Sequence, residues 1–221
     1  MSDDPETVRQ IAELSRDTRP LLVVDVDEVV LDFVDPFSRY LNSQGFDLLT
    51  DSFRIHGNVV GYEDRQALDA GAVSALMTSF FDVQGEWQTA AWGAVQTLSS
   101  LSAMAEIVLL SAMPHRHRPI RRDLLDRLSL PYPLVSTEAA KGPAVRRIRG
   151  DSARPVGFID DIPRNLESVG VSVPDATLFH LMSHAGFRAL LPPLPRGTIA
   201  LRGWSDAKPM IAAALGVAHS T

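Results

Sequence analysis

The chain contains no cysteine, which removes disulfides, thiolate zinc sites and cysteine nucleophiles together and leaves the redox compartment undetermined. It has no apolar run of the length a bilayer span requires. Its first residues, Met1-Ser2-Asp3-Asp4-Pro5-Glu6, are acidic and lack the basic and apolar regions of a signal peptide, so a cytoplasmic location and no membrane partner are expected. No internal repeat or low-complexity tract occurs, although Leu191-Pro192-Pro193-Leu194-Pro195 reads as a stiff extended connector. Positive charge is also in deficit: the net charge of −6 sets the field of the whole molecule against nucleic acid polymers and anionic lipid. What is present, 221 residues of which 45% are hydrophobic and 22% charged, suffices for a sizeable core, either as one domain with an insertion or as two small ones.

Within that composition the most informative segment is Leu21-Leu22-Val23-Val24, an apolar run that ends in Asp25-Val26-Asp27. Side chains alternate along an extended strand, so Asp25 and Asp27 are expected to leave the sheet on the same side, a few ångströms apart. Two anions that close repel, and the pair is tolerable where one carboxyl keeps a proton or where a cation such as Mg²⁺ offsets the charge. The bland alternative is a solvated loop after a strand.

Further apolar, β-branched segments end in polar residues. Ile107-Val108-Leu109-Leu110 ends at Ser111, Pro133-Leu134-Val135 near Ser136, Val156-Gly157-Phe158-Ile159 at Asp160-Asp161, and Thr177-Leu178-Phe179 at His180. None alternates clearly, as expected of strands covered on both faces. Helical patterns lie over about residues 6–16, with Val8, Ile11, Ala12 and Leu14 on one side, and over 90–103, 117–128, 141–149 and 163–168. Strands alternating with helices predict an α/β fold with a doubly wound parallel sheet, whose ligands sit at the carboxyl ends of the strands. Residues 33–89 break this rhythm with helix-like Phe37 to Leu41, a possible strand at Phe53 to Ile55 and helix-like Ala72 to Phe81. They read as a small, mainly helical insertion after the first strand, the core being residues 1–32 and 90–221.

Taken in order, the strand ends supply Asp25 with Asp27, then Ser111, then Lys141 opening a helix, then Asp160-Asp161. This ordered set resembles the haloacid dehalogenase superfamily of phosphatases and phosphotransferases, over most of the chain outside the insertion. Val23-Val24-Asp25-Val26-Asp27 matches the first motif, Val108-Leu109-Leu110-Ser111 the second, Lys141-Gly142-Pro143-Ala144 the third and Phe158-Ile159-Asp160-Asp161 the fourth. The resemblance implies a Rossmann-like core with a cap in the position where the family places its small helical caps. It implies Asp25 as the nucleophile that takes the phosphoryl group, and Asp27 as the general acid that protonates the leaving oxygen and later activates water. Ser111 and Lys141 then bind phosphate oxygens, and Mg²⁺ is held by Asp25, the backbone carbonyl of Asp27 and Asp161, with Asp160 assisting from behind. The partner expected is a small soluble phosphate ester. Two departures stand out: Glu28-Val29 follows the acid pair where the family often has Gly and Thr, and Asn165 stands where some members carry a further acid.

Each residue also has an ordinary reading. Ser111 alone is a hydrogen-bonded strand end, Lys141 alone a solvated helix residue, and Asp160-Asp161 alone a helix cap. His115-Arg116-His117-Arg118, with Arg121 and Arg122, is either an anion-recognising cluster or a solvated helix start. Ala112, His115 and Arg116, nearest the second motif, and Arg54, His56 and Asn58 in the insertion are the candidate substrate-binding residues. Phe80, Phe81, Trp87 and Trp92 are expected to pack, and His180 and His184 to be surface or core histidines. Two other functions remain open: a carbon–halogen hydrolase of the same superfamily, disfavoured by Asp27 because that chemistry has no leaving oxygen to protonate, and a non-catalytic phosphate-ligand or protein-binding module.

Overall fold

Six short apolar segments pair into one sheet in which every neighbouring pair is parallel. The computed structural model describes residues 4–15 and 17–217. The strands are β1 (Leu21–Val24), β4 (Glu106–Ser111), β5 (Leu134–Ser136), β6 (Val156–Asp160), β7 (Thr177–His180) and β8 (Ile199–Ala200), in the spatial order β5-β4-β1-β6-β7-β8. The chain runs outward from β1 through β4 to β5, then returns to the other side of β1 for β6, β7 and β8. The strand order therefore reverses at β1, the position where such sheets open a crevice at their carboxyl ends. Register is continuous across the switch, with Val24 opposite Leu109 on one side and Ile159 on the other.

Alternate residues of β1 feed two cores. Leu22 and Val24 join Leu109, Ile159 and Phe179 under α5 (Ala94–Ser102), α6 (Arg118–Arg127) and α10 (Trp204–Ala214). Leu21 and Val23 join Val108, Leu110 and Phe158 under α7 (Lys141–Arg149) and α8 (Pro163–Ser172). Burial on both faces explains why the strands carry no polar alternation. Strand β8 and helix α10 have no counterpart in the sequence reading: Ile199-Ala200 is too short for a periodic signal, and Pro209 lies inside α10.

The N-terminal helix α1 (Pro5–Ala12) is shorter than its pattern suggested, and its inward face is not the apolar one. Asp4 caps it, and the buried residues are Thr7 and Gln10, whose side chains hydrogen-bond to Ser136 at the end of β5. Ile11 and Leu14 pack at the margin of the core beneath α7.

Between β1 and α5 lie α2 (Val34–Ser43), the antiparallel hairpin β2 (Phe46–Leu48) and β3 (Val59–Gly61), α3 (Ala70–Asp82) and the one-turn α4 (Gln84–Trp87). The expected strand at Phe53 to Ile55 is instead the loop of this hairpin. Gly57 turns the chain at φ 88°, and the Asn58 amide closes the loop onto Ser52 and Arg54, leaving no extended edge to pair. Phe80 and Phe81 pack as expected, with Phe37, in a third core, and Trp87 packs at its margin on Tyr40. Trp92, expected to pack, is 94% exposed. Among the described residues no helix is long and apolar enough to cross a membrane.

Helices α7 and α8 come into close contact at Gly142, where an added methyl would overlap the Ser168 carbonyl and the Ser172 hydroxyl. The neighbour is backbone and cannot rotate away, so Gly142→Ala forces the two helices apart. We expect it to destabilise the protein by about 3 kcal/mol in urea titrations; a loss within about 0.5 kcal/mol contradicts this packing.

Candidate active site

The carboxyl ends of β1 and β6 lie side by side, the Asp25 amide donating to the Ile159 carbonyl at 2.9 Å. This brings Asp25, Asp160 and Asp161 together. A carboxylate oxygen from each lies within 4.8 Å of the others, and all three residues are buried. Lys141, the first residue of α7, reaches the same point: its ammonium donates to Asp25 and, at 2.7 Å, to Asp160. A cation at a helix N-terminus works against the helix dipole. It is held there, 1% exposed, by its two carboxylates.

The charges do not balance: one ammonium faces three carboxylates. Burial pushes the Asp25 carboxyl up to about 7 against the attraction of Lys141, with Asp160 repelling it further. Burial, then repulsion from Asp25 and Asp160, pushes Asp161 well above the usual carboxylate range. Burial also opposes the charge on Lys141, but Asp160 and Asp25 more than offset it and raise its pKa. Asp161 Oδ1 is buried with no hydrogen-bond partner among the described residues. An unpartnered carboxylate oxygen beside an excess of negative charge has the donor chemistry of a hard divalent cation. Asp160 is different, for Oδ1 accepts from the Ile162 amide and Asn165, while Oδ2 accepts from Lys141 and Asn165. Both its oxygens are thus engaged in orienting neighbours.

Asp27 lines the same cavity as Asp25 but its carboxylate stays outside the trio. Its Oδ1 accepts from Gln88 at 2.9 Å and pairs with Arg121 at 3.0 Å, while Oδ2 has no hydrogen bond among the described residues. Ser111, fully buried at the end of β4, accepts the Met113 amide at 3.1 Å and keeps its own proton to donate.

Of the expected substrate-binding residues, Ala112, Arg54 and His56 line the cavity and three others do not. Asn58 is taken up in closing its loop. His115 is held between Ser136 and Asp4, and Arg116 donates to Thr78, which itself lines the cavity. His180 is a core histidine on the Asp161 carbonyl, and His184 caps α9 (Ala185–Arg188).

Three residues of the site were missed. Arg121, grouped with a solvated helix start, is fully buried over the Phe81 ring and ties Asp27 to Gln84 and Gln88. Its spacing to the apolar pair Leu124-Leu125 is the signal that it faces inward. Gln88 has no such signal. Glu28, noted only as a departure, sits in the left-handed region at φ 65°, a strained conformation for a residue with a side chain. Its buried carboxylate accepts from the Phe33 and Val34 amides, where α2 begins, and from Ser183 and the His184 amide after β7. These bonds to a charged acceptor outweigh the backbone strain.

Neither a protein-family model nor any curated protein sequence matches the chain. Solved structures do. A haloacid dehalogenase family hydrolase from Deinococcus radiodurans, with bound phosphate and sodium, superposes with a TM-score of 0.57 at 13% identity, covering 93% of this chain and 100% of that one. A haloacid dehalogenase-like hydrolase from Xanthomonas campestris gives 0.57 at 12% identity over 91% and 98%. The heptose bisphosphate phosphatase of B. bronchiseptica, holding magnesium and phosphate, gives 0.52 at 12% identity over 88% and 98%. The chain has the haloacid dehalogenase fold.

The raised carboxyls make stability depend on pH. Asp25 and Asp161 bind protons more tightly folded than unfolded, so the stability they contribute is lost as pH rises from the ordinary carboxylate value near 4 up to about 7. Burial lowers the His117 and His180 imidazoles, which act in the opposite sense. The contrast is therefore read against Asp161→Asn. Between about pH 4.5 and 7.5 the metal-free protein should lose roughly 5 °C of Tm relative to that variant, whereas parallel profiles contradict the assignment.

Proposed function

We propose that the protein is a Mg²⁺-dependent phosphomonoester hydrolase that works through an aspartyl phosphate on Asp25, with a small phosphorylated molecule as substrate. The observation that carries this reading is the buried Lys141 ammonium shared between Asp25 and Asp160, with the unpartnered Asp161 oxygen beside it. Phosphoryl transfer asks the protein for a positioned nucleophile and fixed charges around the phosphoryl oxygens. An Asp25 oxygen attacks phosphorus as the bond to the leaving oxygen breaks. Asp27 gives its proton to that oxygen, then takes one from the water that attacks the phosphoryl group. Inorganic phosphate leaves and the Asp25 carboxylate is restored.

Arg121 and Gln88 fix one Asp27 oxygen, which leaves the other to carry the proton. Lys141 keeps Asp25 oriented and offsets phosphate charge, and the Ser111 hydroxyl donates to a phosphate oxygen. The residues suited to Mg²⁺ are Asp25, Asp161 and the backbone carbonyl of Asp27, with Asp160 orienting Lys141 and Asn165 behind them. When bound, Mg²⁺ supplies charge that offsets the carboxylates and the phosphoryl oxygens. Residues 33–89 serve as the cap that excludes water and selects the leaving group, and the Glu28 carboxylate ties the first helix of that cap to the core.

Phosphate release from phosphomonoesters should vanish on chelation, return with Mg²⁺, and fall roughly 1,000-fold or more in Asp25→Asn while the variant keeps its circular dichroism. Equal turnover in Asp25→Asn removes Asp25 as nucleophile. Turnover indifferent to chelation removes the metal.

A further inference from the structure

The cavity over Asp25 has a volume of about 490 Å³, within the range of roughly 300–1,000 Å³ typical of small-molecule sites. Its charged groups are gathered at one end, where Asp25, Asp161 and Lys141 lie. Most of the rest of its wall is apolar. Phe33 contributes from the start of α2, Met77 and Phe81 from α3, Phe53 and Ile55 from the hairpin loop, and Phe187 from α9. Met113 and Met182 complete the wall with flexible thioethers that adapt to a flat or branched surface.

The few polar groups on that wall are already engaged. Ser74 Oγ bonds the His56 ring at 3.1 Å, and Thr78 Oγ1 accepts from Arg116 at 3.0 Å. Arg54 is the exception: it is an exposed residue of the hairpin loop that also lines the cavity, and its side chain makes no hydrogen bond or ion pair among the described residues. A polyol body brought against this wall leaves its hydroxyls without partners, at a cost of roughly tenfold in affinity for each. An apolar body gains about fourfold for each methylene buried.

We propose that the leaving group is an apolar body, aromatic or branched, with a carboxylate at the end remote from the phosphate, received by Arg54. This rests on the phosphatase reading above, since it names the substrate class for that same site. The phosphate lies among Asp25, Ser111 and Lys141, the body fills the space between Phe33, Phe53 and Met77, and the remote carboxylate meets the free guanidinium.

Three primary alkyl esters of matched leaving-group reactivity test this: para-carboxyphenethyl phosphate, phenethyl phosphate and ribitol phosphate. The expected order of kcat/KM follows that sequence, with phenethyl phosphate roughly 100-fold above ribitol phosphate. The carboxylated ester should exceed phenethyl phosphate by roughly fivefold, and Arg54→Ala should erase that ratio. Ribitol phosphate turned over as efficiently as phenethyl phosphate overturns the apolar body and leaves the hydrolase standing. A carboxylate preference unchanged in Arg54→Ala overturns the role of Arg54. If none of the esters is hydrolysed, the hydrolase reading fails, and calorimetry with phenethylphosphonate and methylphosphonate then decides the pocket. Tighter binding of the phenethyl compound supports it, and equal binding overturns it.

Discussion

One ammonium group organises this molecule. Lys141 is buried at the first turn of α7, where the helix dipole is unfavourable to it, and it is tolerable there only because Asp25 and Asp160 accept its protons. The same contacts hold the ends of β1 and β6 together with the start of α7. Gly142, next in the chain, lets α7 approach α8 closely enough for Lys141 to reach the strand ends. Even so, the cluster sets three carboxyls against one ammonium, and Asp161 Oδ1 has no hydrogen-bond partner among the described residues. Fold and chemistry are linked by this imbalance: a structure that gathers carboxylates beyond what its own cation offsets is suited to a divalent metal.

A second set of contacts joins the segment between β1 and α5 to this centre. Glu28 accepts a helix-initiating amide on one side and the loop after β7 on the other. Arg121 reaches from α6 to Asp27, with Gln88 and Gln84 beside it. Both are buried, Glu28 in the loop after β1 and Arg121 within α6, and each holds a neighbour of the Asp25 and Asp27 segment in place. The cavity over Asp25 is lined mainly by apolar side chains, with Asp25, Asp161 and Lys141 gathered together.

Much of the core was legible because its signals are local. Apolar runs ending in Asp, Ser or Asp-Asp identify strands buried on both faces, and Lys141 to Arg149 coincides with its predicted helix. What escaped depends on distant partners. Thr7 and Gln10 carry the inward face of α1 because Ser136 awaits them 129 and 126 positions along the chain. No pattern around Phe53 to Ile55 revealed that the strand lay further on, at Val59–Gly61, since that choice is made by pairing with Phe46–Leu48. Arg121 and Glu28 were visible as residues but not as buried ones, because burial of a charge is decided by its partner. Trp92, apolar in sequence, stands exposed beside α5.

The central claim, that Asp25 is the group that takes the phosphoryl, is tested most directly by trapping it. An aspartyl phosphate is reduced by borohydride to homoserine, so the protein is quenched with borohydride during turnover of phenethyl phosphate in Mg²⁺ and its peptides are mapped by mass spectrometry. The account predicts homoserine at position 25 and at no other aspartate, dependent on the presence of substrate. Homoserine at position 27, or rapid phosphate release with position 25 unreduced, would contradict it.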